Sequence, residues 1–317
     1  MSTGATQRSA EGTLAPKVTM GMPVYNGEQF VEAALRSVLA QTFADFEVLI
    51  SDNASTDRTG EICRDYAARD ARIRYTRNEV NLGFCRNQNS VYQRARGAYF
   101  LLTHHDDIRS PDYLERTVPV LDADPTVVVC YTQTRDIDEH DQPLPRRDPL
   151  LRFDSRDLRE RFRDVIRMDH ICEPDFGLTR TDVLRTTCLH GDYADSDRVL
   201  LAELALHGRF HRIPEYLFFR RAHTGQSTSV APDRQSRTVW FDPQKYQGKL
   251  LFPHFREFRE YLAAVARAPI RIADRLWCMG EMVRWLGTNR RRLQSDLDHA
   301  GRQLLRPLYY ALLGRSR

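Results

Sequence analysis

The chain has 317 residues, 47 Lys and Arg against 43 Asp and Glu, a formal net charge of +4 and six cysteines. It is long enough for a full hydrophobic core plus an appended segment, and its near balance of charge, without interleaved aromatic and basic residues, argues against a nucleic-acid groove. Scattered cysteines with no C-x-x-C pair argue against a disulfide scaffold and a structural zinc site; residues 1–16 lack the apolar core of a signal peptide, and no stretch reaches the roughly eighteen apolar residues of a membrane span. The expectation is a soluble or peripheral protein of a reducing cytoplasm, with residues 1–16 a disordered tail.

Taken in order, Val18 to Asn26 predicts a short strand that breaks at Pro23, and Asn26 or Gly27 can start a helix. That helix has its apolar face at Val31, Ala34, Leu35, Val38 and Leu39, the spacing of a stripe packed on a sheet. Phe46 to Ile50 reads as the next strand, followed by the polar loop Ser51-Asp52-Asn53-Ala54-Ser55-Thr56-Asp57. A third strand near Ile73-Arg74-Tyr75 leads into Asn81-Leu82-Gly83 with Arg86-Asn87, where a helix N-terminus and a guanidinium favour anions. The apolar run Ala98 to Leu102 reads as a buried parallel strand ending in Thr103-His104-His105-Asp106-Asp107. Strand, loop and helix thus alternate with polar loops at successive strand ends, the pattern of an α/β sheet with its site along one edge. Adjacent Asp106 and Asp107 repel unless a cation or a hydrogen-bond network neutralises them, so a hard divalent metal carrying a diphosphate accounts for the pair; a solvated turn capping a helix at Ser110-Pro111-Asp112 accounts for it equally.

Pro23-Val24-Tyr25-Asn26, Ser51 to Asp57, Asn81-Leu82-Gly83 with Arg86-Asn87, and His105-Asp106-Asp107 resemble, in order and spacing, the inverting family 2 glycosyltransferases of the GT-A fold. The likeness continues through Phe176-Gly177-Leu178, Asp197 to Gly208 and Arg220-Arg221-Ala222-His223, so it spans roughly residues 17–228. It implies a GT-A α/β fold with a Rossmann-like mixed sheet over 17–228 and a helical C-terminal extension over 229–317. It also implies a Mg²⁺ or Mn²⁺ cofactor, a nucleotide-diphosphate sugar donor, with UDP or dTDP favoured, and a carbohydrate or lipid-linked acceptor. The nucleotide would be gripped by Pro23, Tyr25, Asp52, Arg86, His105 and Asp106, and the metal by Asp106, Asp107 and His223. Tyr25 can offer a stacking face and Asp52 an acceptor for a base N–H or ribose hydroxyls; Asp52 can equally close an Asx-turn, Arg86 can be a surface arginine, and His223 can be structural. The family commonly carries D-x-D-D where this chain has His104-His105-Asp106-Asp107, which bears on metal affinity because imidazole is a softer donor than Mg²⁺ or Mn²⁺ sites usually choose.

An inverting transfer needs a carboxylate to take the acceptor hydroxyl proton as oxygen attacks C1 opposite the diphosphate. The resemblance assigns that role to Asp197, which opens Asp197-Arg198-Val199-Leu200 eleven residues before Gly208, with Asp192 and Asp195 as rivals and helix capping as the alternative for all three. Glu173 to Gly177 is expected in an acceptor-side loop. Residues 229–250 read as loop, followed by helical patterns at Phe255-Phe258-Leu262-Val265 and Ile272-Leu276-Met279-Val283. Arg290-Arg291-Arg292 and the apolar run from Leu304 to Leu313 suggest either a segment on an anionic membrane surface or helices packing back on the body or on a second subunit. Two other functions share these features: a nucleotidyltransferase, which would release pyrophosphate, and a catalytically silent sugar-nucleotide or carbohydrate-binding module, which would bind without turnover.

Overall fold

The computed structural model describes residues 15–145, 153–168 and 172–312. Eight strands, β1 (Val18–Val24), β2 (Phe46–Asp52), β3 (Ile73–Arg77), β4 (Tyr99–Leu102), β5 (Ile108–Arg109), β6 (Val127–Ile137), β7 (Leu178–Arg180) and β8 (Arg209–Arg221), form one sheet in the order β3-β2-β1-β4-β7-β6-β8-β5. β1 pairs in parallel with β2 and β4, and β2 with β3, whereas β7 runs antiparallel to both β4 and β6. β1 and β2 are buried along their whole length because helices cover both faces, which is why they read as continuous apolar runs. Pro23 lies inside β1 rather than ending it. It faces Ser51 of β2, and β4 has already stopped at Leu102 opposite Gly21, so no ladder bond on that side needs the missing N–H.

Helices α1 (Val31–Leu39), α2 (Thr59–Arg69), α3 (Phe84–Arg94) and α4 (Tyr113–Ala123) alternate with the first strands. α1 buries Val31, Ala34, Leu35 and Val38, the face expected from their spacing. After β6 come α5 (Leu158–Arg167), the 3-10 turn Glu173–Phe176, α6 (Thr181–Leu184) and α7 (Ser196–His207). The chain then continues through α8 (Ser227–Val230), α9 (Arg234–Phe241), α10 (Pro243–Tyr246), α11 (Pro253–Arg267), α12 (Ile272–Thr288) and α13 (Arg290–Leu312). Residues 229–250, expected as loop, therefore contain helices. Asp233 supplies the start signal, its carboxylate accepting the Gln235 and Ser236 backbone N–H groups as an N-cap.

One core cluster joins α5, α7, α11 and α12 to the sheet, so the C-terminal helices share a core with it. α7 is buried on nearly every side. Tyr261 of α11 and Trp285 of α12 are at most 1% exposed, and the Trp285 indole N–H donates to the Ile166 carbonyl at 3.1 Å. Truncating such an aromatic to Ala costs about 3–5 kcal/mol, enough to make these helices integral to stability. The expected tail falls mostly on residues 1–14, outside the described residues, as do residues 313–317 at the other end.

Candidate active site

The C-terminal ends of β1, β2, β3 and β4 open along one edge, where an α/β sheet presents ligand-binding loops. Their loops are knitted together: Asn26 and Gly27 donate backbone N–H groups to the Ser55 and Thr59 hydroxyls, and the Asn26 side chain accepts the Thr56 N–H. Tyr25, 44% exposed, projects from this loop, while Pro23 is buried in the strand beneath it. A Cβ on Gly27 would lie 2.3 Å from the His105 ring, so glycine is what lets the first loop lie against His105. Asp52 is fully buried. Its carboxylate accepts the Ser55 N–H at 2.8 Å, the Tyr75 hydroxyl at 2.7 Å and an Arg77 N–H at 3.2 Å, forming the floor of this edge beside a cleft of about 500 Å³ whose lining includes Glu28, Ser55, Arg64 and Arg77.

The loop after β4 carries the densest charge. His104, Asp106 and Asp107 place one ligand atom each within 4.8 Å of one another. Asp106 has one oxygen 3.0 Å from His223 Nε2 and the other buried without a partner among the described residues; His104 Nε2 is likewise buried without one. Burial pushes Asp106 up, but the His105 charge, the His223 hydrogen bond and His104 together outweigh it and hold the carboxyl well below the usual range. Burial, and then the Asp106 charge, push Asp107 up to about 8 against the Arg221 backbone N–H it accepts at 3.0 Å. Burial lowers His104, whose ring stands edge-on to Phe176 and Phe84. Arg221 is buried and occupied: its guanidinium donates to the Asp106 and Asp138 carbonyls and to the Asp141 carboxylate, and it lies over the Phe30 ring. Arg220 donates to Asp136 at 2.9 Å. Asp106 Oδ1, from an ionised carboxylate, and His104 Nε2, both buried without partners among the described residues, fit a divalent cation.

The three rival acids near α7 separate clearly. Asp192 bonds Lys245, Arg256 and the Tyr246 hydroxyl; burial opposes ionisation there, but these partners draw it down to about 2. Asp195, held with φ of 64°, is paired with Arg234 and Arg237. Asp197 accepts the Arg198 backbone N–H at 2.8 Å, and among the described residues no Lys or Arg forms an ion pair with it. Burial first, and then the Asp195 and Asp175 carboxylates, raise its pKa. A raised, unpaired carboxylate is what a proton acceptor needs.

Two groups of residues escaped the sequence reading. His190 lies 3.2 Å from both the Asp175 carboxylate and the Tyr92 hydroxyl, and the Asn89 side chain bonds its backbone N–H and C=O. Burial lowers His190, but the Asp175 charge and hydrogen bond more than reverse it and raise its pKa, and its protonated form favours the ionised form of Asp197. The second group is a strap formed by α9 and α10. Asp242 pairs with Arg86 at 3.2 Å, Thr238 accepts the Ala194 N–H at 3.2 Å, and Arg234 and Arg237 hold Asp195, so the strap ties the head of α3 to the head of α7. Gly83, with φ of +84°, has the Phe241 carbonyl 2.7 Å from where a Cβ would sit.

With this geometry established, the relatives can be compared. The family model described as glycosyl transferase family 2 matches residues 19–186, more than half of the chain. The chain belongs to glycosyl transferase family 2. Asp197 and His223 lie beyond the matched residues. The uncharacterized glycosyltransferase EpsJ of Bacillus subtilis (strain 168) is 38% identical over 103 residues, covering 32% of this chain and 30% of EpsJ. The chondroitin synthase of Escherichia coli is 32% identical over 123 residues, covering 39% of this chain and 18% of the synthase. The match thus spans less than a third of either relative's length. Among solved structures, residues 1–349 of S. aureus TarS in complex with UDP-GlcNAc align with a TM-score of 0.64 at 17% identity, over 86% of this chain and 73% of that one. The mannosyltransferase PcManGT of Pyrobaculum calidifontis, in complex with GDP-Man and Mn²⁺, aligns with a TM-score of 0.53 at 19% identity over 92% and 88%. The fold is GT-A, with a helical C-terminal region.

Proposed function

We propose that this glycosyl transferase family 2 protein transfers a sugar, with inversion, from a nucleotide-diphosphate sugar to an acceptor hydroxyl in bacterial polysaccharide, glycolipid or glycoconjugate synthesis, working in the cytoplasm. The observation that carries the reading is the contrast at the head of α7, where Asp195 is neutralised by two arginines and Asp197, with no Lys or Arg ion pair among the described residues, is raised. Asp197 takes the proton from the acceptor hydroxyl as its oxygen forms the bond to C1 and the bond from C1 to the diphosphate oxygen breaks on the opposite face. Protonated His190 favours the ionised form of Asp197, and the strap holds Asp195 out of the reaction. Asp106, with His104, Asp107 and the adjoining His223 around it, would hold Mg²⁺ or Mn²⁺, which when bound supplies positive charge against the departing diphosphate. Tyr25, His105 and Arg86 would face the nucleotide, with Pro23 in the strand beneath them and Asp52 supporting the edge from below by fixing Ser55 and Arg77. The UDP-GlcNAc complex of TarS supports a UDP-sugar as donor.

A melting-temperature panel of UDP, dTDP, GDP and CMP with and without Mn²⁺ tests this, because a ligand at about 100 times its Kd adds about 2.7 kcal/mol to the folded state. UDP or dTDP is expected to raise the melting temperature, and more so with Mn²⁺. No response to any nucleotide would overturn the reading.

A further inference from the structure

The spacing Ile272-Leu276-Met279-Val283 marks a packing stripe on α12, yet the structure packs only Met279 of these against the core and turns the other three outward. Ile272 is 74% exposed, and Leu276 and Val283 are each 68% exposed. The face that packs instead carries Asp274, Cys278, Glu281, Met282 and Trp285. On the outward side a Cβ at Gly280 or Gly287 would meet nothing within 4 Å, so no described residue covers the helix there. α13 continues the pattern with Leu297 49% exposed and Leu304 and Leu305 at 61% and 62%. Large apolar side chains in line and this far exposed mark an interaction surface.

The charges around this surface identify its partner. Between residues 271 and 305 the exposed charged side chains are six arginines, at 271, 284, 290, 291, 292 and 302, against one acid, Asp298. The other acids of the segment, Asp274, Glu281 and Asp296, are all buried. Arg271 and Arg284 pair with Asp274 and Glu281, but from the outside, with guanidinium side chains 86% and 68% exposed. An outward apolar stripe bordered by cations meets an anionic lipid surface favourably, the acyl boundary taking the stripe and the phosphates taking the arginines. A second copy of the chain fits less well. At about 1.5 Å per residue α12 is only some 25 Å long, and one helix face of that length buries well under the roughly 800 Å² per partner of a stable dimer, while apposing two copies sets arginine against arginine. No helix among the described residues is long and apolar enough to cross a membrane, so this contact lies on the surface rather than spanning it.

We propose that α12 and the first turns of α13 form a docking face for an anionic membrane surface, with Ile272, Leu276 and Val283 entering the acyl boundary and Arg284, Arg290, Arg291 and Arg292 engaging headgroup phosphates. The inference is independent of sugar transfer, and its test needs neither donor nor acceptor.

The full chain is sedimented with vesicles of phosphatidylcholine, with and without phosphatidylglycerol, at low and high salt. Binding is expected only with phosphatidylglycerol and should weaken with salt. The double variant Leu276→Glu with Val283→Glu should bind at least about tenfold more weakly, and the triple variant Arg290→Gln, Arg291→Gln, Arg292→Gln should bind more weakly and with less salt dependence. Both sets of changes lie on the outside of their helices, and an unchanged melting temperature verifies the fold of each variant. Absence of wild-type binding to phosphatidylglycerol vesicles, or equal binding by the double variant, would overturn the proposal. So would light scattering that finds a dimer dissolved by Leu276→Glu with Val283→Glu and no vesicle binding, which would assign the face to a second copy.

Discussion

Asp195 and Asp197 stand two residues apart at the head of α7, and the strap residues Arg234 and Arg237 neutralise only the first. Two carboxylates so close meet different surroundings: the first is paired with arginines, and the second is raised by burial and by the Asp195 and Asp175 carboxylates, which is why the proposed mechanism takes the second as the base.

Asp197→Asn should therefore retain nucleotide binding while lowering turnover by about 10²- to 10⁴-fold, the usual value of a positioned proton acceptor. Asp195→Asn should instead lose about 1–3 kcal/mol of stability, because the largely buried Arg234 and Arg237 both lose its charge, Arg234 keeping Glu257, with a smaller effect on the rate of the folded fraction. Single-turnover assays alongside thermal melts separate the two outcomes.

The pH profile should carry the mark of the base. A carboxyl raised above the free value of about 4 must lose its proton to act, so the acidic limb of the rate should lie above that value. In its protonated form His190 favours ionised Asp197, so His190→Gln removes that help and should move the limb to still higher pH. A limb that stays in place would mean that His190 serves only to anchor Asp175.

Asp106→Asn keeps an oxygen for His223 but removes the negative charge. The Mn²⁺-dependent part of nucleotide affinity should fall by about 10- to 100-fold, with the metal-free part retained. Titration calorimetry with and without Mn²⁺ measures both, and unchanged metal dependence would remove Asp106 from the ligand set.

Gly83→Ala should loosen the strap, since a left-handed φ and a carbonyl 2.7 Å away both oppose a Cβ. A cost of about 1–3 kcal/mol is expected. Limited proteolysis should then cut within residues 227–246 faster than in the wild type.

Much of the fold was legible because the first half obeys simple periodicities. Val31, Ala34, Leu35 and Val38 are buried as their spacing required, and the strand that begins at Phe46 forms where an apolar run meets a polar loop. One loop, His104 to Asp107, announced a cluster that the structure keeps together for His104, Asp106 and Asp107, whereas Asp197 as the base remains a proposal from the family resemblance and its spacing to Gly208. The strap was not legible, because its contacts join residues far apart in sequence: Arg86 with Asp242, and Asp195 with Arg234 and Arg237. His190 was missed for the same reason, since its partners lie on α3 and the 3-10 turn. The α12 stripe misled because periodicity reveals that a helix has an apolar face but not what that face meets.

The most direct test of inverting transfer is to incubate the protein with Mn²⁺ and nucleotide-diphosphate sugars, UDP- and dTDP-sugars first, and follow the slow transfer to water by proton NMR. From an α-linked donor the account predicts that the first free sugar seen is the β-anomer, released with nucleoside diphosphate, and that Asp197→Asn abolishes it. First appearance of the α-anomer, release of pyrophosphate, or an undiminished rate in Asp197→Asn would contradict it.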